Sequence, residues 1–167
     1  FDWHRILDHI RQQAYLTAGI RVAVTDARDT QDAKDKSSRA HGYSFYFEGG
    51  ITAYVRYLNR NDTVKHDHVF YCGKEIEVNG GKKIFVETAF QYTDDIQARE
   101  AAFANNIYNG EGGTHLTGFR TALTRALNDY ARRNGFFSAK GGSASGGKKD
   151  DETLTGDDAR EGITAVV

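Results

Sequence analysis

The dipeptide Asn79-Gly80 stands between two runs that alternate apolar and polar residues, Ile76 and Val78 on one side and 84–91 on the other. Asn and Gly tolerate the positive φ that tight hairpin turns require, so this pair commits the middle of the chain to an antiparallel ribbon. The β reading extends over 68–92, beginning with a separate apolar run at 69–72.

Around this ribbon the periodicity changes. Trp3, Leu7, Ile10 and Ala14 recur at helical spacing, and Gly19 is placed to stop that helix. Ile20, Val22 and Val24 alternate as a strand, as do Tyr43, Phe45 and Phe47 up to Gly49-Gly50. Ile51, Tyr54, Val55 and Leu58 return to helical spacing, closed by 59–62, and 98–104 fits strand or helix by pattern, with strand preferred. Leu116, Phe119, Leu123, Leu127 and Tyr130 mark a long amphipathic helix, with Thr114 placed to cap it. Thr155-Gly156-Asp157-Asp158 has the form of a capping box before a last strand-like run, 163–167. The stretches 29–42 and 138–151 are polar, the second of them a Gly, Ser, Lys and Asp insertion without large apolar residues. The sum is an α+β domain with a mostly antiparallel sheet and helices packed on it.

Composition excludes several functional classes. At 39% hydrophobic the 167 residues can build a core, and the net charge of -1 leaves any nucleic-acid contact to a local stripe. One cysteine, Cys72, allows neither an internal disulfide nor a thiolate zinc site. Its strand position suggests a small buried filler rather than a nucleophile. No apolar run approaches the roughly 18 residues of a membrane span, so no membrane partner is expected. There is no Met and no Pro, and the closing residues are apolar, so the chain is expected to be an internal segment of a longer protein.

Three constellations could carry chemistry. Gly110-Glu111-Gly112-Gly113-Thr114-His115 opens a helix in the manner of a phosphate cradle but lacks the Lys-Ser or Lys-Thr pair of a P-loop; a structural turn fits it better. His66-Asp67-His68 could ligate a metal, yet nothing nearby completes a ligand set. Asp157, Asp158 and Glu161 could hold magnesium or simply complement a helix dipole, and the dipole reading is preferred. No catalytic, cofactor-binding or metal residue is therefore assigned. On the long helix, Thr121, Arg125, Asn128 and Arg132 recur opposite the apolar stripe, with Arg120 flanking it. Such a polar, basic face suits phosphate contacts, or is an ordinary solvated face. Arg120, Arg125 and Arg132 are the DNA-contact candidates.

Several blocks carry a family resemblance. Phe45-Tyr46-Phe47-Glu48-Gly49-Gly50-Ile51, followed by Tyr57-Leu58-Asn59, resembles the F-x-Y/F-E-G-G-I … Y-L-N segment of DNA gyrase B subunits. Phe103-Ala104-Asn105-Asn106-Ile107 leads into GEGGTHLTGFRTALTRALNDY, which is similar to that family's transducer stretch. Thr155-Gly156-Asp157-Asp158-Ala159-Arg160-Glu161-Gly162 matches its T-G-D-D-x-R-E-G turn, and Tyr15-Leu16-Thr17-Ala18-Gly19 is a looser match to L-x-F-L-N-x-G. The B subunit of topoisomerase IV is the close relative, and a free-standing nucleic-acid-binding module is the alternative of another class.

The resemblance implies a transducer fold, a mixed sheet with a left-handed β-α-β crossover, over 20–167. Residues 1–19 would be the helix leading in from an upstream ATPase subdomain. It implies a part of an ATP-hydrolysing type II DNA topoisomerase, an isomerase of the bacterial cytoplasm using ATP and Mg2+. The partners implied are DNA, the gyrase A subunit and a second copy of the gyrase B protein joined through the upstream ATPase region. The family's γ-phosphate lysine lies beyond Val167 and its other ATPase groups lie upstream, so the isolated chain is expected to bind no cofactor and to be inactive.

The 138–151 segment has no large apolar side chain to offset its ordering entropy, and amide exchange there is expected to approach the rate of an unstructured peptide. Strong protection in a hydrogen-exchange experiment would contradict this.

Overall fold

The computed structural model describes residues 1–26, 41–78, 80–137 and 153–167. Helix α1 (Trp3–Leu16) opens on Asp2, whose carboxylate accepts the Arg5 backbone N–H at 3.2 Å and supplies one of the bonds a first turn lacks. Its apolar stripe buries Leu7 and Ala14 against Phe45, Val22 and Val24 of the ribbon β1 (Arg21–Asp26) and β2 (His41–Tyr46). These strands pair antiparallel with Val22 opposite Phe45 and Val24 opposite Tyr43. Helix α2 (Gly50–Leu58) begins on Gly50, at φ +52, and a Cβ there would lie 3.1 Å from that of Ala18. Glycine is thus what lets α1 and α2 approach, and it allows Tyr15 to stack on Phe47 at 3.6 Å and on Tyr54 at 5.0 Å.

The central hairpin forms as the alternation requires. Strand β3 (Phe70–Val78) pairs antiparallel with β4 (Lys82–Tyr92), with Ile76 opposite Ile84 and Val78 opposite Lys82. Gly80 and Gly81, at φ +91 and +73, carry the described part of the turn; Asn79, most of 29–42 and all of 138–151 lie outside the described residues. The run at 69–72 and the Ile76 run belong to one strand rather than two. Cys72 is exposed on it, contrary to the buried-filler expectation.

Strand β5 (Arg99–Ala101) lies in 98–104 as expected. It is followed by a tight ribbon, β6 (Phe103–Ala104) and β7 (Ile107–Tyr108), which turns through Asn105 and Asn106 at φ +49 and +63. Asparagine is the non-glycine residue that best tolerates this region, and the pair sits where a two-residue hairpin turn needs it. Helix α3 (Thr114–Arg133) carries the expected long stripe. Its cap is Gly113, which makes no side-chain bond, while Thr114 is already helical. Thr155 caps α4 (Gly156–Arg160) in a true capping box with Asp158.

Strand β8 (Ile163–Val166) organises the whole. The four-stranded sheet runs β3-β4-β8-β5, with β8 antiparallel to β4 and parallel to β5. Ile163 and Ala165 face Leu123 of α3, with Phe119 and Leu127 packed alongside, while Val166 faces Tyr54, Val55 and Ile51 of α2. All four residues of the strand are shut off from solvent, as expected for a strand covered on both faces. Gly162 admits it to the sheet: its φ is +72, and a Cβ would strike the Thr93 and Asp95 carbonyl oxygens at 2.7 Å. A buried polar chain links the neighbouring layers, Asn59 donating to Gln91 at 3.0 Å and Gln91 to the His66 carbonyl at 2.8 Å.

Truncating Ile163, fully buried between sheet and α3, is expected to cost roughly 2–5 kcal/mol of stability as Ile163→Ala, because a cavity is left behind. Ile76→Ala, on the exposed ribbon, should cost far less; urea unfolding of the two variants with equal losses would overturn the assignment of the core.

Candidate nucleic-acid interface

Helix α3 presents one face to the sheet and one outward. The outward face carries Thr117, Gly118, Thr121, Ala122 and Arg125 along a shallow groove. Its hydroxyls are turned back onto the helix: Thr117 donates to the Gly113 carbonyl at 3.2 Å and Thr121 to that of Thr117 at 2.9 Å. What remains for a ligand is small side chains and the Arg125 guanidinium, whose side chain is 82% exposed.

The structure divides the four-residue basic stripe. Arg125 and Arg132 both point outward, but Asp129 stands between them, 3.9 Å from one and 3.7 Å from the other. An acid thus lies within the basic face, and the pairs are solvent-screened and weak. Asn128 is not on that face. It is buried, with its amide donating to the Leu154 carbonyl at 2.9 Å and accepting the Leu154 N–H at 2.8 Å, so it ties α3 to the segment before α4. Tyr130, assigned to the apolar stripe, is exposed instead and stacks on Phe136 at 6.0 Å. The two misplacements have different causes: the segment before α4 folds over Asn128, whereas Tyr130 lies beyond Leu127, the last stripe residue packed against Ile163 and Ala165.

Arg120 has a different role from its neighbours. It makes a two-pronged contact with Glu100, its Nε lying 3.1 Å and 3.0 Å from the two carboxylate oxygens and its Nη2 closer still to one of them. The Glu100 side chain is only 7% exposed. This hydrogen bonding raises the Arg120 pKa above its ordinary value, so the guanidinium stays charged. Its charge is committed to joining α3 and β5, leaving Arg125 and Arg132 as the outward candidates.

The Gly110–His115 turn does not fit a phosphate. Gly112 and Gly113 are at φ +91 and +86, yet added Cβ atoms would meet Leu116 and His115 side chains at 3.0 Å, so the turn closes on its own helix. The adjoining cleft is lined by Glu100 and Glu111, and the one arginine beside them is already paired. His66 is similarly engaged, Nδ1 2.6 Å from the His68 carbonyl oxygen and Nε2 3.2 Å from the Tyr92 N–H. Asp158 accepts bonds from the Thr155 hydroxyl and N–H, which hold its pKa below the ordinary value; Asp157 pairs with Arg160 at 2.7 Å. Among the described residues no three His, Cys, Asp or Glu side chains gather to hold a metal, and no helix is long and apolar enough to cross a membrane.

A buried strand clamped between helices, with an arginine-bearing helix face turned outward, defines an α+β domain with a mixed, mostly antiparallel sheet. Similarity to known proteins makes this specific. The DNA gyrase B family profile matches residues 50–167. The DNA gyrase B protein of Haloferax volcanii is 42% identical over the whole chain, and that of Enterococcus faecalis is 37% identical; in each case the chain spans 22% of the relative. The 43K ATPase domain of Thermus thermophilus gyrase B, solved in complex with an aminocoumarin, superposes over 99% of this chain and 38% of its own, with TM-score 0.73 and 29% identity. The gyrase B protein of Myxococcus xanthus shares the fold at TM-score 0.66 and 20% identity, over 99% of this chain and 39% of that one. The chain belongs to the DNA gyrase B family.

Removing Arg120 strands a buried carboxylate, so Arg120→Gln is expected to destabilise by about 1–3 kcal/mol. Arg125→Gln should leave the unfolding midpoint almost unchanged. Equal midpoints for the two variants would show that the Glu100 contact does not hold α3.

Proposed function

We propose that this chain is the mechanical relay of an ATP-dependent type II DNA topoisomerase, transmitting nucleotide state to DNA strand passage. Residues 20–167 serve as the transducer, and 1–19 as the helix arriving from the ATPase subdomain. The observation that carries this reading is β8, which is hydrogen-bonded on both edges and covered on both faces by α2 and α3. A displacement applied on the α1–α2 side is passed through close-packed side chains to α3 rather than absorbed, as a rigid-body switch requires. The relation to gyrase B proteins over the full chain supports the parent activity.

ATP and Mg2+ belong to the parent enzyme and are held by residues outside this chain; ATP supplies the free energy of the conformational cycle. The gyrase A subunit, DNA and a second copy of the gyrase B protein are the working partners, in the cytoplasm. Within this chain, Arg125 and Arg132 face captured DNA and contact its phosphates, where sequence does not matter. Arg120 holds the helix that presents them.

In the assembled enzyme, Arg125→Gln with Arg132→Gln is expected to lower DNA-stimulated ATP turnover several-fold, to spare basal turnover and to flatten its salt dependence. Phosphate release measured with and without DNA across a salt series decides it. An equal fall in both rates, or no fall, would remove the DNA contact from this face.

A further inference from the structure

On another face of the molecule, α1 and α2 enclose a cleft of about 490 Å3 that shares no residue with the outward face of α3. Its walls are rich in hydrogen-bond donors. The Arg11 guanidinium lies 5.5 Å from the Tyr57 ring centroid and donates to the Tyr57 hydroxyl at 3.0 Å and to Asp8 at 2.8 Å. Arg60 sits 4.2 Å over the same ring and donates to the Tyr57 carbonyl at 2.8 Å. One tyrosine thus fixes two guanidinium groups at the same opening, Arg60 over its ring and Arg11 at its hydroxyl edge, and a guanidinium has more N–H groups than these contacts use.

The phenols add to the excess. Tyr54 accepts from Gln12 at 3.1 Å and Tyr57 accepts from Arg11, so each keeps its own O–H to donate. Tyr15 lines the cleft and is only 5% exposed, and among the described residues its hydroxyl has no hydrogen-bond partner. Burial, reinforced by Tyr57, raises its pKa above the ordinary phenol value, so it remains an O–H donor at neutral pH. Arg5 and His9 extend the basic wall. Against this stands one carboxylate, Asp8, whose side chain is 71% exposed and solvent-screened.

We propose that the α1–α2 cleft binds a phosphate-type oxyanion, seated between Arg11, Arg60 and the Tyr15 hydroxyl. An excess of donors over the single exposed carboxylate of Asp8 favours an acceptor-only ligand, and guanidinium forks match the edges of a tetrahedral oxyanion. Two carbon-borne oxygens in a plane, as in a carboxylate, would leave donors from the third direction unmet. The source is either free phosphate, such as pyrophosphate, or the phosphodiester of a nucleic-acid strand.

The test is calorimetric titration of pyrophosphate into the full-length protein that carries this chain, alongside a short duplex DNA and citrate. Arg5→Gln with Arg60→Gln should lose one pyrophosphate site or weaken it by about tenfold, and Tyr15→Phe should weaken it several-fold while keeping the ring stack. Asp8→Asn should tighten it, an effect that damage to the fold does not produce. A parallel loss of DNA affinity assigns the site to a strand phosphate, whereas unchanged DNA affinity assigns it to a free anion. Pyrophosphate binding that is identical in wild type and all variants, or citrate binding as tightly as pyrophosphate, overturns the proposal.

Discussion

A strand buried on both faces must have both of its edges hydrogen-bonded, because no water reaches the backbone groups left over. The rest of this molecule is arranged around that requirement at Ile163–Val166. β4 satisfies one edge and β5 the other, and the Val167 backbone continues the pairing through Ala101 and Phe103. The two edges run in opposite senses, so the parallel partner has to be reached by a crossover, and α3 is the crossover. Helix α2 closes one face and α3 the other. The capping box on α4 and the clash-free Gly162 then deliver the chain into the gap at the correct height.

What could be seen in the sequence was what local spacing determines. The stripe Leu7, Ile10 and Ala14, the alternation around Asn79-Gly80, and the Thr155 capping box each depend on neighbours a few residues away. All three took the expected form among the described residues. The family motifs carried the fold class further than periodicity could, since the parallel β5–β8 pair has no local signature. The failures have a tertiary origin. Cys72 has the pattern of a core residue, yet α3 covers the sheet near Phe90, where Phe119 lies 5.9 Å away, and leaves the far ribbon uncovered. Asn128 fits a solvated stripe until the segment before α4 folds over it. Thr114 is a better capping residue than glycine in isolation, but the chain enters α3 at a φ of +86 that only Gly113 accepts without strain.

The candidate site shows the same division. Arg120, Arg125 and Arg132 are equivalent by residue type, and only the distant Glu100 separates them. Because Glu100 is nearly out of reach of water, its contact with Arg120 works as a structural clasp, while Arg125 and Arg132 share a weak, screened partner in Asp129. A signal for this existed in principle: Glu100 is an acid in a short, half-buried strand, and a carboxylate held away from water needs a cation. Nothing in the sequence says which of three arginines will meet it. The donor-rich cleft was invisible for a related reason, since it joins α1 to α2 across the ribbon between them.

The order of the strands in the sheet also has a consequence for synthesis. β3 and β4 leave the ribosome as a complete hairpin, but the strand that pairs with the inner edge of β4 is made only after α3 and α4. At ordinary elongation rates that edge, 89–92, waits roughly several seconds, beside a ribbon whose Phe70, Ile76, Ile84 and Phe85 stay exposed even in the finished fold. Glu75, Lys83 and Lys74 punctuate the same ribbon, with Glu75 and Lys83 paired at 2.8 Å. Charges so placed discourage another chain from stacking there, during synthesis and afterwards alike, which makes them guards against association more than supports of the fold.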